Sequence, residues 1–194
     1  MMTVSSLFKD TEKFKNIIEI FAVKGYHPAT MDEIARATGV AKGTLYYHYK
    51  NKEDLYYSVI EYGVHILERS VRQALQNQTD PALKLKELIR EVLNFFDLYS
   101  NIAFIFLREL YGNNIRRDVL SGLVQRIIQI IGEILAEGKE QGIFTVKDVD
   151  TCATAVFGAV SATAIRSINK HGRVRSVQVQ SHIENLVFNG LLAE

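Results

Sequence analysis

Between residues 42 and 52 the chain sets amines, a hydroxyl, phenols and an imidazole in quick succession: Lys42, Thr44, Tyr46, Tyr47, His48 and Lys52, with Gly43 among them. These side chains are cations and hydrogen-bond donors. That is the chemistry that meets phosphate oxygens and the edges of bases. Tyrosines stack on sugars and thymine methyls and also hydrogen-bond phosphate. A glycine near the start of such a helix removes bulk where it comes closest to base edges.

These groups work together only from one face of a helix. Turning by about 100° per residue, Leu45 and Tyr49 share an inner face with Ala41 beside them. Gly43, Tyr46, Tyr47 and Lys50 point the other way, with Lys42 and Thr44 on the flanks. Tyr46 and Tyr47 are adjacent, so at least one is exposed. His48 lies near the edge of the inner face, open to a structural role or to a phosphate contact. Lys52 falls in the first turn of the next helix, where its amine and the positive helix end both face a phosphate.

The element before this helix is a short one over residues 30–38. Thr30 and Glu33 form a capping box, with Thr30 holding the backbone of Glu33 and the carboxylate reaching back. Gly39 suits the left-handed position that ends a helix. Val40 plugs the angle before the next helix begins at Ala41 or Lys42. Helix, glycine-containing turn, helix is the helix-turn-helix unit.

Helical periodicity continues over the rest of the chain, without a convincing strand. A first helix spans residues 8–24 and stops at Gly25. A long one runs from Asn51 towards Leu75. After the loop at 77–81 an apolar face carries Leu88, Ile89, Val92, Phe95, Phe96 and Tyr99. Six apolar residues in a row, Ile102 to Leu107, predict a helix in the middle of a bundle. Further helices are expected over 119–139, 149–169 and 177–192. The fold class is all-α with about nine helices. The boundary between two modules falls inside the helix that starts at Asn51, giving domains 1–52 and 53–194.

Several function classes are excluded. A single cysteine, Cys152, allows no intramolecular disulfide and no cysteine-based zinc cluster. It lies among small apolar residues with no positive charge nearby to activate it. His65, His171 and His182 complete no nucleophile–base pattern, phosphate loop or HExxH motif. No two histidines sit four residues apart, so no metal is expected, and no cofactor. Asp10, Glu12, Lys13 and Lys15 come too early for a signal peptide. The uncharged stretch from Thr151 to Ile165 falls short of the about 20 apolar residues of a membrane helix. A cytoplasmic protein with no membrane partner is expected.

Residues Lys13 to Tyr57 resemble the DNA-binding domain of the TetR (tetracycline-repressor) family. The resemblance is carried by Ala22, Gly25, Thr30, Ile34, Ala35 and the string GV-x-KGTLYYHY-x-NKE-x-L from Gly39 to Leu55. It implies a three-helix helix-turn-helix domain followed by a larger helical domain for ligand binding and dimerisation. It further implies a homodimeric regulator, usually a repressor released from its double-stranded DNA operator by a small molecule. Activation, ligand-independent DNA binding, or an interaction protein that has lost DNA binding remain as alternatives. Carried over by position, Lys42, Gly43, Thr44, Tyr46 and Tyr47 face the major groove. His48 and Lys52 hold phosphates, and Thr30 lies near the backbone. One residue departs from the family pattern: Ala41 stands where Ser or Thr usually caps the recognition helix. The lost cap costs about 1 kcal/mol of helix stability.

In the C-terminal part, Ala153, Ala155, Gly158, Ala159 and Ala162 permit close helix approach. Val179, Ile183, Leu186, Val187 and Leu191 follow at helical spacing in the last helix. In the family these last two helices pair with their symmetry mates as a four-helix bundle. Candidate ligand-lining residues are Phe95, Phe96, Tyr99, Phe104, Leu107, Tyr111, Leu123, Ile127 and Phe157, a set suited to a hydrophobic or amphipathic effector. The same spacing also suits plain core. Arg108 offers a guanidinium to an anionic ligand group, or to Glu109, Asp97 or Glu91. The pattern of residues 101–110 followed by Arg116 and Arg117 resembles fatty-acyl-CoA-responsive members of the family.

The formal charge is only +1. Lys24, Arg36, Lys42, Lys50 and Lys52 nevertheless face only Asp32 and Glu33 over residues 24–52, so the positive surplus sits in the helix-turn-helix.

Overall fold

The computed structural model describes residues 11–111, 117–174 and 176–191, and of residues 11, 106–111, 117–121 and 176 the backbone alone. Nine helices run through the described residues, and no strand. They are α1 Thr11–Lys24, α2 Met31–Thr38, α3 Lys42–His48, α4 Lys52–Leu75, α5 Pro81–Leu98, α6 Ser100–Tyr111, α7 Arg117–Glu140, α8 Val149–His171 and α9 Ser176–Leu191. The all-α expectation holds.

The chain forms two compact units that divide within α4, Met1–Val64 with Asn101–Asn113, and His65–Ser100 with Asn114–Glu194. In the first, α1 packs on α2 and α2 on α3. Phe14, Ile17, Ile18, Phe21, Ile34, Leu45 and Leu55 form its interior. Close helix approach is built in where α4 meets α6: a Cβ on Gly63 would lie 2.5 Å from Cγ2 of Ile102. In the second unit α5, α7, α8 and α9 pack on one another around Leu88, Ile89, Ile131, Ile134, Phe157 and Val160.

Local chemistry explains the helix ends. Thr30 caps α2 through the expected box: its hydroxyl accepts the Glu33 N–H at 3.2 Å, and Glu33 Oε2 accepts the Thr30 N–H at 3.2 Å. The Lys24 ammonium on the Glu33 carboxylate, and then the Thr30 N–H, hold its pKa below the usual value. Gly39 takes φ 64° at the end of α2, a conformation that favours glycine. Asp80 caps α5 by accepting the N–H groups of Ala82 and Leu83, with Pro81 in the first turn. Asp148 caps α8, accepting the Thr151 N–H at 2.7 Å.

The break between the helix that carries Phe95 and the one that carries Ile102 falls at Tyr99, whose N–H donates to the Phe95 carbonyl at 2.8 Å, with neither Gly nor Pro there. One element differs from the sequence expectation: α8 is a 23-residue helix, long and apolar enough by length and composition to cross a membrane. Thr151–Ile165 undercounts it, because the helix continues through Arg166 and Lys170 to His171. Ala153, Val156, Phe157, Val160 and Ala164 are buried against its neighbours, as in the core helix of a bundle.

Candidate nucleic-acid interface

The turn between α2 and α3 holds α3 by one face. Leu45 is fully buried and Tyr49, the residue that ends the helix, is 3% exposed. Burial, and then the negative charge of Asp54, push the Tyr49 phenol up to about 12, so it sits in the core as a neutral group. On the opposite face Tyr46 is 46% and Tyr47 81% exposed, and Lys42, Gly43 and Thr44 are exposed beside them. A Cβ on Gly43 would meet nothing within 4 Å, so nothing inside the described protein requires a glycine there. His48 is half-buried, its ring edge-on to Tyr47 with centroids 5.2 Å apart. Ala41 stands at the N-cap without a side-chain hydrogen bond.

The structure shows where the positive surplus goes. Lys42 Nζ lies 2.7 Å from Asp32 Oδ1, and the hydrogen bond to Asp32 raises its pKa. Both side chains are more than half exposed, so water screens the pair and a phosphate exchanges for it at little cost. Lys24 pairs with Glu33. Among the described residues Lys50 keeps its ammonium without a partner.

Lys52 is engaged within the protein. Its ammonium donates to the carbonyls of Tyr26 at 2.8 Å, His27 at 2.9 Å and Ala29 at 2.8 Å, and lies 4.6 Å from the centre of the Tyr26 ring. An ammonium has three hydrogens, and here each has a carbonyl. The Tyr26 ring in turn stands 4.9 Å from Tyr56, which meets Phe21 edge-on at 4.8 Å. Lys52 therefore ties the start of α4 to the loop between α1 and α2, and a phosphate would have to displace these bonds. Nothing in the sequence pattern marked Tyr26 or Asp32 as partners of the basic residues.

The ligand candidates are more scattered. Phe95, Phe96, Leu123, Ile127 and Phe157 are buried in the second unit. Tyr99 is half-buried, with its ring 5.3 Å from that of Phe95. Phe104 is exposed at 37% and belongs to the first unit. The side chains of Leu107, Arg108 and Tyr111 lie outside the described ones. Among the described residues, none of these candidates lines the two surface clefts of the second unit. One of about 490 Å³ lies between α8 and α9, and another of about 480 Å³ lies along α4 at His65, Glu68, Arg69 and Arg72.

Comparison with known proteins decides the family. The family of bacterial regulatory proteins described as tetR matches residues 15–59, and the tetracyclin repressor-like C-terminal domain matches residues 78–191. The chain belongs to the TetR family. The match covers both the helix-turn-helix and most of the second unit, so this TetR-family protein is a ligand-responsive DNA-binding transcriptional regulator and not an enzyme. Its relatives include the fatty acid metabolism regulator protein of Bacillus subtilis (strain 168), 24% identical over 176 residues, 90% of this chain and 91% of the relative. A solved structure of a putative fatty acid metabolism regulator from Clostridium perfringens is 27% identical. It covers 94% of this chain and 100% of its own, with a TM-score of 0.83. The fold is shared too with the transcriptional regulator FadR from Bacillus subtilis in complex with stearoyl-CoA. That structure has a TM-score of 0.84 at 24% identity, covering 93% of this chain and 98% of that one.

Proposed function

We propose that this TetR-family regulator is a cytoplasmic homodimeric repressor that leaves its operator on binding a fatty acyl-CoA. The observation that carries the DNA half is the outer face of α3: Tyr46 and Tyr47 exposed, Lys42 and Thr44 beside them, and open space in front of Gly43. Lys42, Gly43, Thr44, Tyr46 and Tyr47 meet the major groove, with Thr30 and His48 near the phosphates.

The dimer forms through α8 and α9. Ala155 and Ala162 of α8 are exposed, Gly158 and Ala159 half-buried, and Leu186 of α9 is 70% exposed. Small residues that admit close approach, beside a large apolar side chain in water, suit a second copy as cover. A two-fold dimer then offers α3 to successive major grooves about 34 Å apart.

Support for the ligand comes from the buried aromatic residues of the second unit and from the stearoyl-CoA held by a protein of the same fold. Phe95, Phe96, Tyr99, Leu123, Ile127 and Phe157 of the second unit take the acyl chain. A ligand that prefers the DNA-incompetent arrangement shifts the population by its differential affinity. Helix α4 begins beside the helix-turn-helix and continues into the second unit, so it carries the change between them.

The test is binding to a duplex taken from the gene's own upstream region, measured against salt. Affinity is expected to fall steeply as salt rises, and Tyr46→Ala to lose binding while the dimer persists in size-exclusion chromatography. Flat affinity between low and moderate salt contradicts the reading.

A further inference from the structure

The turn between α2 and α3 brings two opposite charges together beside the exposed tyrosines. Asp32 lies in the first turn of α2 and Lys42 opens α3, with Lys42 Nζ 2.7 Å from Asp32 Oδ1. The two acidic residues of this region, Asp32 and Glu33, are used differently. Glu33 serves the fold, accepting the Thr30 N–H in the capping box and pairing with Lys24. The Asp32 carboxylate caps no helix, and its one polar partner among the described residues is Lys42. Both side chains are exposed on the outer side of the helix-turn-helix.

This pairing changes what Lys42 can meet. An ammonium has three hydrogens. One is directed at Asp32, and no other partner takes the remaining two among the described residues. Breaking the pair costs little by itself, because water screens it. On DNA the cost lies in the carboxylate left behind: a phosphate that takes Lys42 stands beside the negative charge of Asp32, and like charges brought together disfavour that contact. A base edge carries no charge and meets no such repulsion. Guanine presents two acceptors side by side in the major groove, O6 and N7, and its cytosine presents an N4–H donor that a carboxylate accepts. An ammonium and a carboxylate held together therefore match the edge of a G·C pair and mismatch a phosphate.

We propose that Asp32 is a specificity-determining residue, which commits Lys42 to the guanine of a G·C pair in the operator and withholds it from the phosphates that every sequence offers. This rests on the reading above that the outer face of α3 meets the major groove. Phosphate contacts position a protein without reading sequence, whereas base contacts specify. With Asp32 in place the helix-turn-helix gives up one contact that is independent of sequence and gains one that depends on it.

The test measures binding of the full chain to two duplexes of equal length, each over a range of salt. One is the operator, mapped by footprinting on the gene's own upstream region, and the other has random sequence. Asp32→Asn is expected to bind random DNA more tightly, with a slope of log affinity against log salt steeper by about one. The ratio of operator to random affinity is expected to fall about tenfold. In a Lys42→Gln background the same substitution is expected to change that ratio no further. Operator guanines are then replaced one at a time by 7-deazaguanine, which lacks the N7 acceptor. Wild type is expected to weaken at one guanine of each half-site, and Lys42→Gln to be unaffected there. An Asp32 that serves only the start of the helices would lower the melting temperature and scale both affinities together. An unchanged ratio therefore overturns the proposal, and so does the absence of any guanine that wild type reads and Lys42→Gln does not. Tyr46→Ala scores the groove reading separately. If that variant keeps operator binding, the outer face of α3 is not the interface and the proposal fails with it. If it loses binding while Asp32→Asn keeps the wild-type ratio, only the role of Asp32 fails.

Discussion

The ammonium of Lys52 donates to the carbonyl of Ala29 at 2.8 Å, across 23 residues of chain. With the carbonyls of Tyr26 and His27 it closes the loop between α1 and α2 onto the first turn of α4. The orientation of the helix-turn-helix on α4 thus depends on a cation that its position in the motif assigns to DNA.

Replacing this lysine separates the two roles. Lys52→Met is expected to destabilise the protein by about 1–2 kcal/mol, three charged hydrogen bonds discounted for a half-exposed site. That lowers the melting temperature by roughly 2–8 °C for a chain of this size. The slope of log affinity for DNA against log salt should stay that of wild type. Loss of a phosphate contact would reduce it by about one.

Gly43 gives a prediction of opposite sign for folding and binding. Alanine fits the open space at this position and favours the helix by up to about 1 kcal/mol. Gly43→Ala is therefore expected to raise the melting temperature slightly. A methyl group facing the bases should meanwhile weaken operator affinity by about tenfold. Thermal melts and anisotropy titrations on one preparation check both.

Tyr49 predicts an alkaline limit. Its folded pKa is raised from 10.0 to about 12, so the fold favours the neutral phenol. The corresponding stability is fully present below about pH 10 and is lost as pH rises towards about 12. Tyr49→Phe has no such proton to lose. Urea midpoints of wild type minus variant should be constant below pH 10 and should fall above it.

A further prediction concerns packing alone. A Cβ on Gly138 would lie 2.1 Å from Cδ2 of Phe144, a ring that is itself buried. Gly138→Ala is expected to cost about 1–3 kcal/mol through overpacking, offset in part by better helix propensity. DNA affinity of the folded fraction should not change.

The outer face of α3 was legible from the sequence, because one turn per 3.6 residues places Leu45 and Tyr49 inward wherever the helix docks. The capping box at Thr30 and the stop at Gly39 were legible for the same local reason. The division between α5 and α6 was legible as two apolar stretches, but its exact place at Tyr99 was not, since no Gly or Pro marks it. The partners of Lys52 were not legible, because they lie 23–26 residues earlier and no local pattern reports that a long side chain turns back. The ligand set was read only as stripes. Helical spacing puts Phe96 and Ile127 inside, and the same spacing serves core and pocket lining alike.

The most direct measurement is fluorescence anisotropy of an operator duplex held by the dimer while stearoyl-CoA is added. Anisotropy is expected to fall to that of free DNA at saturating stearoyl-CoA, with CoA alone and stearate alone far less effective. DNA that stays bound at saturation, with stearoyl-CoA shown to occupy the protein, contradicts the account.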